Sequence, residues 1–206
     1  MTPVVVDAPK EPTTAKQKDR RDRILTSARR AFARNSFHKV LMDDVAAEAG
    51  VGKGTIYRYF PNKESLYLAV IFGGLQDLQD QIRTTRAEEE DLESAIRGLV
   101  QTLVSFFLEN RLFFNLMNQE DSRSPGETPN RERWWEERSK LIDAIVEVLE
   151  RGRRMGRLDV RHPTAEAQIL LGMVRSVLIY SVDMAPEAVT EEISRIYLNG
   201  MMYGRQ

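Results

Sequence analysis

Between Gly52 and Lys63 the chain runs GKGTIYRYFPNK, and most of its side chains can meet a phosphate or the edge of a base. Lys53 and Lys63 carry compact ammonium groups, and Tyr57 and Tyr59 offer phenolic donors. Thr55 brings a hydroxyl and a methyl, and Arg58 has the planar fork that pairs bidentately with guanine or with phosphate. Gly52 and Gly54 leave backbone N–H groups bare at a helix start, where the positive end of the helix dipole favours an anion. Taken singly these residues are ordinary, since Gly-Lys-Gly is also a plain turn and paired tyrosines are also core. Their density in one short segment points to nucleic-acid binding, with Thr55 and Arg58 reading bases and the others gripping the backbone.

Three short elements are expected to position them. From Lys18 to about Arg34, Ile24, Leu25, Ala28, Ala31 and Phe32 recur at helical spacing. A second helix is predicted from Met42 to Ala49, buried through Val45, Ala46 and Ala49 and stopped by Gly50. A third spans Lys53 to Tyr59, anchored by Ile56 and Phe60. Two short helices joined by a glycine-containing turn make a helix-turn-helix, whose second helix enters the major groove. Charge agrees: residues 1–63 carry 13 Lys and Arg against 7 Asp and Glu, whereas residues 64–206 carry 17 against 24. The basic third suits a polyanion partner, and the acidic remainder suits one that touches a single end of the molecule.

Beyond this segment the pattern stays helical. Helices are predicted over Glu64 to Thr84, Asp91 to Asn110, Leu112 to Asn118 and Arg131 to Met155, with a loop at Ser122 to Asn130. Thr164 is the expected N-cap of a helix to Met184 that is apolar nearly all round in its latter half, and Glu187 to Tyr203 forms the last. No segment alternates as a strand would, so the fold class is all-α with about nine helices. Residues 1–17, with three prolines and no apolar period, read as a disordered arm; 18–63 form the helix-turn-helix domain and 64–206 a second helical domain.

Other chemistries find little support. The chain has no cysteine, which removes disulfides, thiolate metal sites and a cysteine nucleophile. His38 and His162 lie in predicted turns without a carboxylate partner, and the acidic run from Glu88 to Asp91 suits a solvated helix start better than a metal cluster. No enzyme activity, metal or cofactor is expected. The beginning lacks the charge and apolar pattern of a signal peptide, and no apolar run of membrane-spanning length follows, so a cytoplasmic protein without a membrane partner is expected.

The segments RILTSARRAFARNSFHKV and MDDVAAEAGVGKGTIYRYFPNKESLYLAV resemble the DNA-binding part of the TetR family of bacterial transcriptional regulators, of AcrR-like type. Asp44-Val45-Ala46, Ala49-Gly50-Val51, Lys53-Gly54-Thr55 and Tyr57-Arg58-Tyr59-Phe60 followed by Lys63-Glu64 fit the family pattern position by position. The resemblance implies that Lys53, Gly54, Thr55, Tyr57, Arg58, Tyr59 and Lys63 sit at double-stranded DNA. Two positions depart from the pattern: Ser36 stands where the family usually has glycine, and Leu41 where a Thr or Ser commonly caps the second helix. Asp43 and Asp44, just inside that helix, favour its dipole but repel phosphate if turned outward.

The resemblance also implies a homodimer built on the last two helices and a small-molecule effector. The expected dimer residues are Leu170, Val174, Val177, Leu178, Ile193, Ile196 and Tyr197, in a four-helix interface on a two-fold axis, which demands a palindromic operator. Phe72, Leu75, Phe106, Phe107, Phe113, Phe114, Met117 and Trp134 are the candidate lining of an effector pocket, which would suit a hydrophobic or aromatic ligand. The same residues serve as ordinary core with equal ease. Two readings therefore stand: a repressor released by a small effector, or a DNA-binding dimer without one, controlled by a protein partner or acting architecturally.

Overall fold

A computed structural model of the chain describes residues 14–88, 92–121, 131–156, 158–180 and 183–202. Among these residues every regular element is helical: α1 (Ala15–Arg34), α2 (Met42–Glu48), α3 (Lys53–Tyr59), α4 (Lys63–Glu88), α5 (Leu92–Glu109), α6 (Arg111–Asp121), α7 (Arg131–Arg154), α8 (Pro163–Tyr180) and α9 (Pro186–Met202), with a 3-10 turn at Phe37–Lys39. The all-α fold is the one the periodicity predicts. The arm expected over residues 1–17 lies outside the described residues up to residue 13. From there the chain is ordered by a capping box, in which Thr14 and Gln17 each satisfy the other's backbone N–H, so α1 starts earlier than Lys18. The loop expected over Ser122 to Asn130 lies outside the described residues.

The described chain divides into two compact units, residues 1–74 with 111–134, and residues 75–110 with 135–206. The boundary expected at residues 63 and 64 falls at the very start of α4, which runs on through residue 74 without a break.

In the first unit α1 packs against α2 and α6, and α2 against α3. Ile24, Ala28 and Phe32 of α1 are buried with Val45, Ala46 and Ile56. The 3-10 turn, too short for any period to reveal, is held by rings: Phe37 stacks on Phe32 at 6.1 Å and meets Tyr67 edge-on at 5.1 Å. Asn62 caps α4, its Oδ1 accepting from the Ser65 N–H at 2.8 Å.

In the second unit α5, α8 and α9 pack on one another. Arg97 of α5 pairs with Glu191 of α9, and the Tyr197 hydroxyl donates to the Glu166 carbonyl at 3.3 Å. Thr164 does not cap α8. Pro163 opens that helix, and the Glu166 carboxylate accepts from the backbone N–H groups of Arg161 and His162 at 2.9 and 3.0 Å. Proline's fixed φ suits the first helical position, which moves Thr164 inside the helix.

The expected dimer residues need correction here. Leu170, Val174, Leu178, Ile193 and Tyr197 are buried in this chain's own core, and Val177 is half-buried; Ile196 alone of the seven is exposed. Because the latter half of α8 is apolar nearly all round, it fills its own core with one stripe and turns another outward. Ile169 (57 % exposed), Ile179 and Tyr180 (80 %) lie on that outer stripe with Gly172 and Ser176, and Ile196 is exposed on α9.

Candidate nucleic-acid interface

The turn between α2 and α3 is a glycine-ended helix stop. Gly50 adopts φ +64, its N–H donates to the Ala47 carbonyl at 3.1 Å, and the Val51 N–H reaches back to the Ala46 carbonyl at 2.9 Å. This paired pattern satisfies the last carbonyls of α2 and needs a residue without Cβ at the left-handed position.

The helix that follows is seven residues long and divides cleanly. Ile56 and Phe60 are fully buried and Tyr59 is 5 % exposed, whereas Lys53, Gly54, Tyr57 and Arg58 are exposed and Thr55 stands at the edge. Positions 56, 59 and 60 are spaced by three and four residues, so they share the inward stripe and leave 57 and 58 outside. Tyr59 is thus a correction to the sequence reading: its hydroxyl is buried without a hydrogen-bond partner and belongs to the packing. The signal was present in the spacing from Ile56.

No side chain caps α3, whose N-cap is Gly52. A Cβ built at Gly52 or Gly54 would meet nothing within 4 Å, and neither has a positive φ. The fold itself therefore has room for larger residues at both places. Glycine inside the first turn, as Gly54 is, costs about 0.5–1 kcal/mol relative to alanine.

Lys63 is half-buried and already partly engaged. Its ammonium donates to the carbonyls of His38 at 3.3 Å and Val40 at 3.1 Å and lies 4.7 Å from the Phe37 ring centroid. An ammonium has three donors, so one is spare while two clamp the 3-10 turn to α4. The Arg58 guanidinium lies 5.4 Å from the Tyr59 ring centroid, a cation–π contact that directs the fork along the helix surface.

Two neighbours qualify this surface. Leu41 is the N-cap of α2, makes no side-chain capping bond and is 57 % exposed. Asp43, in the first turn of α2, accepts a hydrogen bond from Lys53 Nζ at 2.8 Å. That bond and the carboxylate's charge hold the Lys53 ammonium above the ordinary lysine value. The ten-residue separation of this pair across a turn left no periodic trace in the sequence.

The eight candidate pocket residues are all buried, none above 6 % exposed. Phe72, Phe113, Phe114, Met117 and Trp134 belong to the first unit, and Leu75, Phe106 and Phe107 to the second. A groove of about 550 Å³ between α4 and α5 is lined instead by residues of polar type and one glycine: Asp80, Gln81, Thr84, Gly98, Gln101, Thr102, Ser105 and Glu109. His38 and His162 are exposed, and among the described residues no group of three or more His, Asp or Glu is placed to hold a metal. No helix among them is long and apolar enough to cross a membrane.

Comparison with known proteins bears on the same segment. A model of bacterial regulatory proteins of the tetR family matches residues 24–70, and a tetracyclin repressor-like C-terminal domain matches residues 89–201. The HTH-type transcriptional activator FasR of Mycolicibacterium smegmatis is 28 % identical over 103 residues, covering 50 % of this chain and 47 % of FasR. The matched stretch thus spans about half the length of that relative. The HTH-type transcriptional repressor AcnR of Corynebacterium diphtheriae is 28 % identical over 147 residues, 68 % of each chain. In fold, the chain is similar to the transcriptional regulator FadR of Bacillus subtilis in complex with stearoyl-CoA, with TM-score 0.73 at 17 % identity over 87 % of this chain and 98 % of FadR.

Proposed function

Since the chain belongs to the TetR family of bacterial regulatory proteins and is a DNA-binding transcriptional regulator, we propose that it acts as a homodimeric repressor on a palindromic operator and leaves the DNA when an apolar effector binds. The observation that carries this reading is the division of α3. Ile56, Tyr59 and Phe60 root the helix, and Lys53, Gly54, Thr55, Tyr57 and Arg58 face outward or lie at the edge. In this reading Arg58 and Thr55 meet base edges, and Lys53, Tyr57 and the spare donor of Lys63 meet phosphates.

The exposed apolar stripe of α8, from Ile169 to Tyr180, supports pairing with a second copy, since large apolar groups left in water favour burial. A two-fold pair presents two copies of α3, hence the inverted repeat. For the effector, the stearoyl-CoA held by B. subtilis FadR makes a long acyl thioester the first candidate. The second reading, with no small effector, draws support from the burial of all eight candidate lining residues, which leaves them no open apolar surface to offer a ligand.

Selection from random double-stranded DNA, repeated with and without stearoyl-CoA, tests these statements together. The expected result is an inverted repeat whose recovery falls when the acyl thioester is added. Recovery of the repeat unaffected by any long-chain acyl thioester would favour the effector-free reading. Failure to recover any inverted repeat contradicts the dimeric-repressor reading.

A further inference from the structure

Lys53 stands at the first position of α3, where a lysine is badly placed in the free protein: the positive end of the helix dipole repels it. Asp43 stands in the first turn of α2, where a carboxylate is well placed, and the Leu41 side chain supplies no capping bond there. The 2.8 Å bond between them joins the starts of the two helices on the exposed surface that carries Tyr57 and Arg58. Both partners are largely solvent-exposed, at 69 % and 55 % of their side-chain surface. Such a pair is worth little to folding, so its consequence lies with whatever approaches from solvent.

We propose that Asp43 is a charge brake on DNA binding: it occupies the Lys53 ammonium and sets a carboxylate beside the phosphate that Lys53 would otherwise neutralise. This rests on the reading of α3 as the DNA-facing helix. A phosphate arriving at Lys53 must either displace Asp43 or share the ammonium with it. In both cases one negative charge stays within reach of the DNA backbone, and the counterion release that one lysine ordinarily brings is largely cancelled. The brake acts on the backbone contact, so it lowers affinity for every sequence and leaves base preference to Thr55 and Arg58.

The test measures binding of the full-length protein to its selected operator and to random duplex DNA across a salt series. Asp43→Asn is expected to bind both about fourfold more tightly at low salt, the effect of freeing the Lys53 ammonium to attract a phosphate about 5 Å away in an aqueous dielectric. The log-log salt slope should steepen by about 0.9, one further phosphate neutralised. Asp44→Asn makes the same change in net charge beside it and should produce less than half the gain. In a Lys53→Met background the Asp43→Asn gain should shrink by more than half, which a purely structural role for Asp43 would not produce. Should Asp43→Asn lower the melting temperature through lost dipole stabilisation of α2, Asp43→Ser keeps a good helix-starting residue without charge and must show the same slope change. Unchanged affinity and slope in both variants, or a gain that persists in full without Lys53, overturns the brake while leaving the DNA-binding reading intact. Absence of salt-dependent binding by the wild type and all variants overturns that reading, and this inference with it.

Discussion

The Phe113 ring packs on the bare backbone of Gly74: a Cβ added to Gly74 would stand 2.4 Å from Phe113 Cδ2. Both residues lie in the first unit, where α6 packs on α1. Glycine here serves close packing. Gly74→Ala is expected to destabilise the protein by about 1–3 kcal/mol, the usual cost of overpacking, as a fall in melting temperature. Phe113→Leu in the same chain should recover part of the loss, and a Gly74→Ala protein of wild-type stability would mean that the ring moves aside freely.

The two tyrosines of α3 should separate cleanly. Tyr59 has a buried hydroxyl without a partner, so Tyr59→Phe should leave operator affinity unchanged and keep or raise stability, by up to about 1 kcal/mol. Tyr57 is 40 % exposed on the outer face. Tyr57→Phe should leave stability alone and weaken operator binding about tenfold, the loss of one hydrogen bond to a charged group. Paired melting and fluorescence-anisotropy titrations decide it, and an exchange of the two phenotypes would invert the assignment of faces.

Leu41 leaves α2 without a side-chain cap. Leu41→Thr should add about 1 kcal/mol of stability through a hydroxyl that accepts from a first-turn N–H, and should also strengthen operator binding if that hydroxyl reaches phosphate. Chemical denaturation with a constant m-value checks the first part.

On α8, neighbouring residues should behave oppositely. Ile169 is 57 % exposed and Leu170 fully buried. Ile169→Glu should fold normally and shift sedimentation from dimer towards monomer, weakening association by on the order of a hundredfold, since a carboxylate would be buried at the interface. Leu170→Glu should lose the folded state, because the same charge would enter the core. A dimer untouched by Ile169→Glu together with Tyr180→Glu would place the interface elsewhere.

Legibility in the sequence followed the strength of the period. The bounds of α3, Lys53 to Tyr59, could be read directly because Gly52 and Phe60-Pro61 punctuate both ends. The helix-turn-helix was legible too, since Gly50 marks the one left-handed position in it. Three features were not. The stripe of α8 that enters its own core is hard to single out where the latter half of the helix is apolar nearly all round, so Leu170 and Ile169 look alike in sequence. The inward turn of Tyr59 was visible at three residues from Ile56, but a phenol's chemistry outweighed its position. The Asp43–Lys53 pair depends on how two helices meet across a turn, which no local period encodes.

The outward face of α3 is tested most directly by selecting operators twice, with the wild type and with the Thr55→Ala, Arg58→Ala double variant. Each substituted residue lies outside the buried stripe, so the variant should melt with the wild type. The wild type should return an inverted repeat, and the variant should return the same spacing with preference lost at the symmetric positions these side chains read, about 1–3 kcal/mol of discrimination at each. Identical motifs from both proteins would contradict the assignment of base reading to this face.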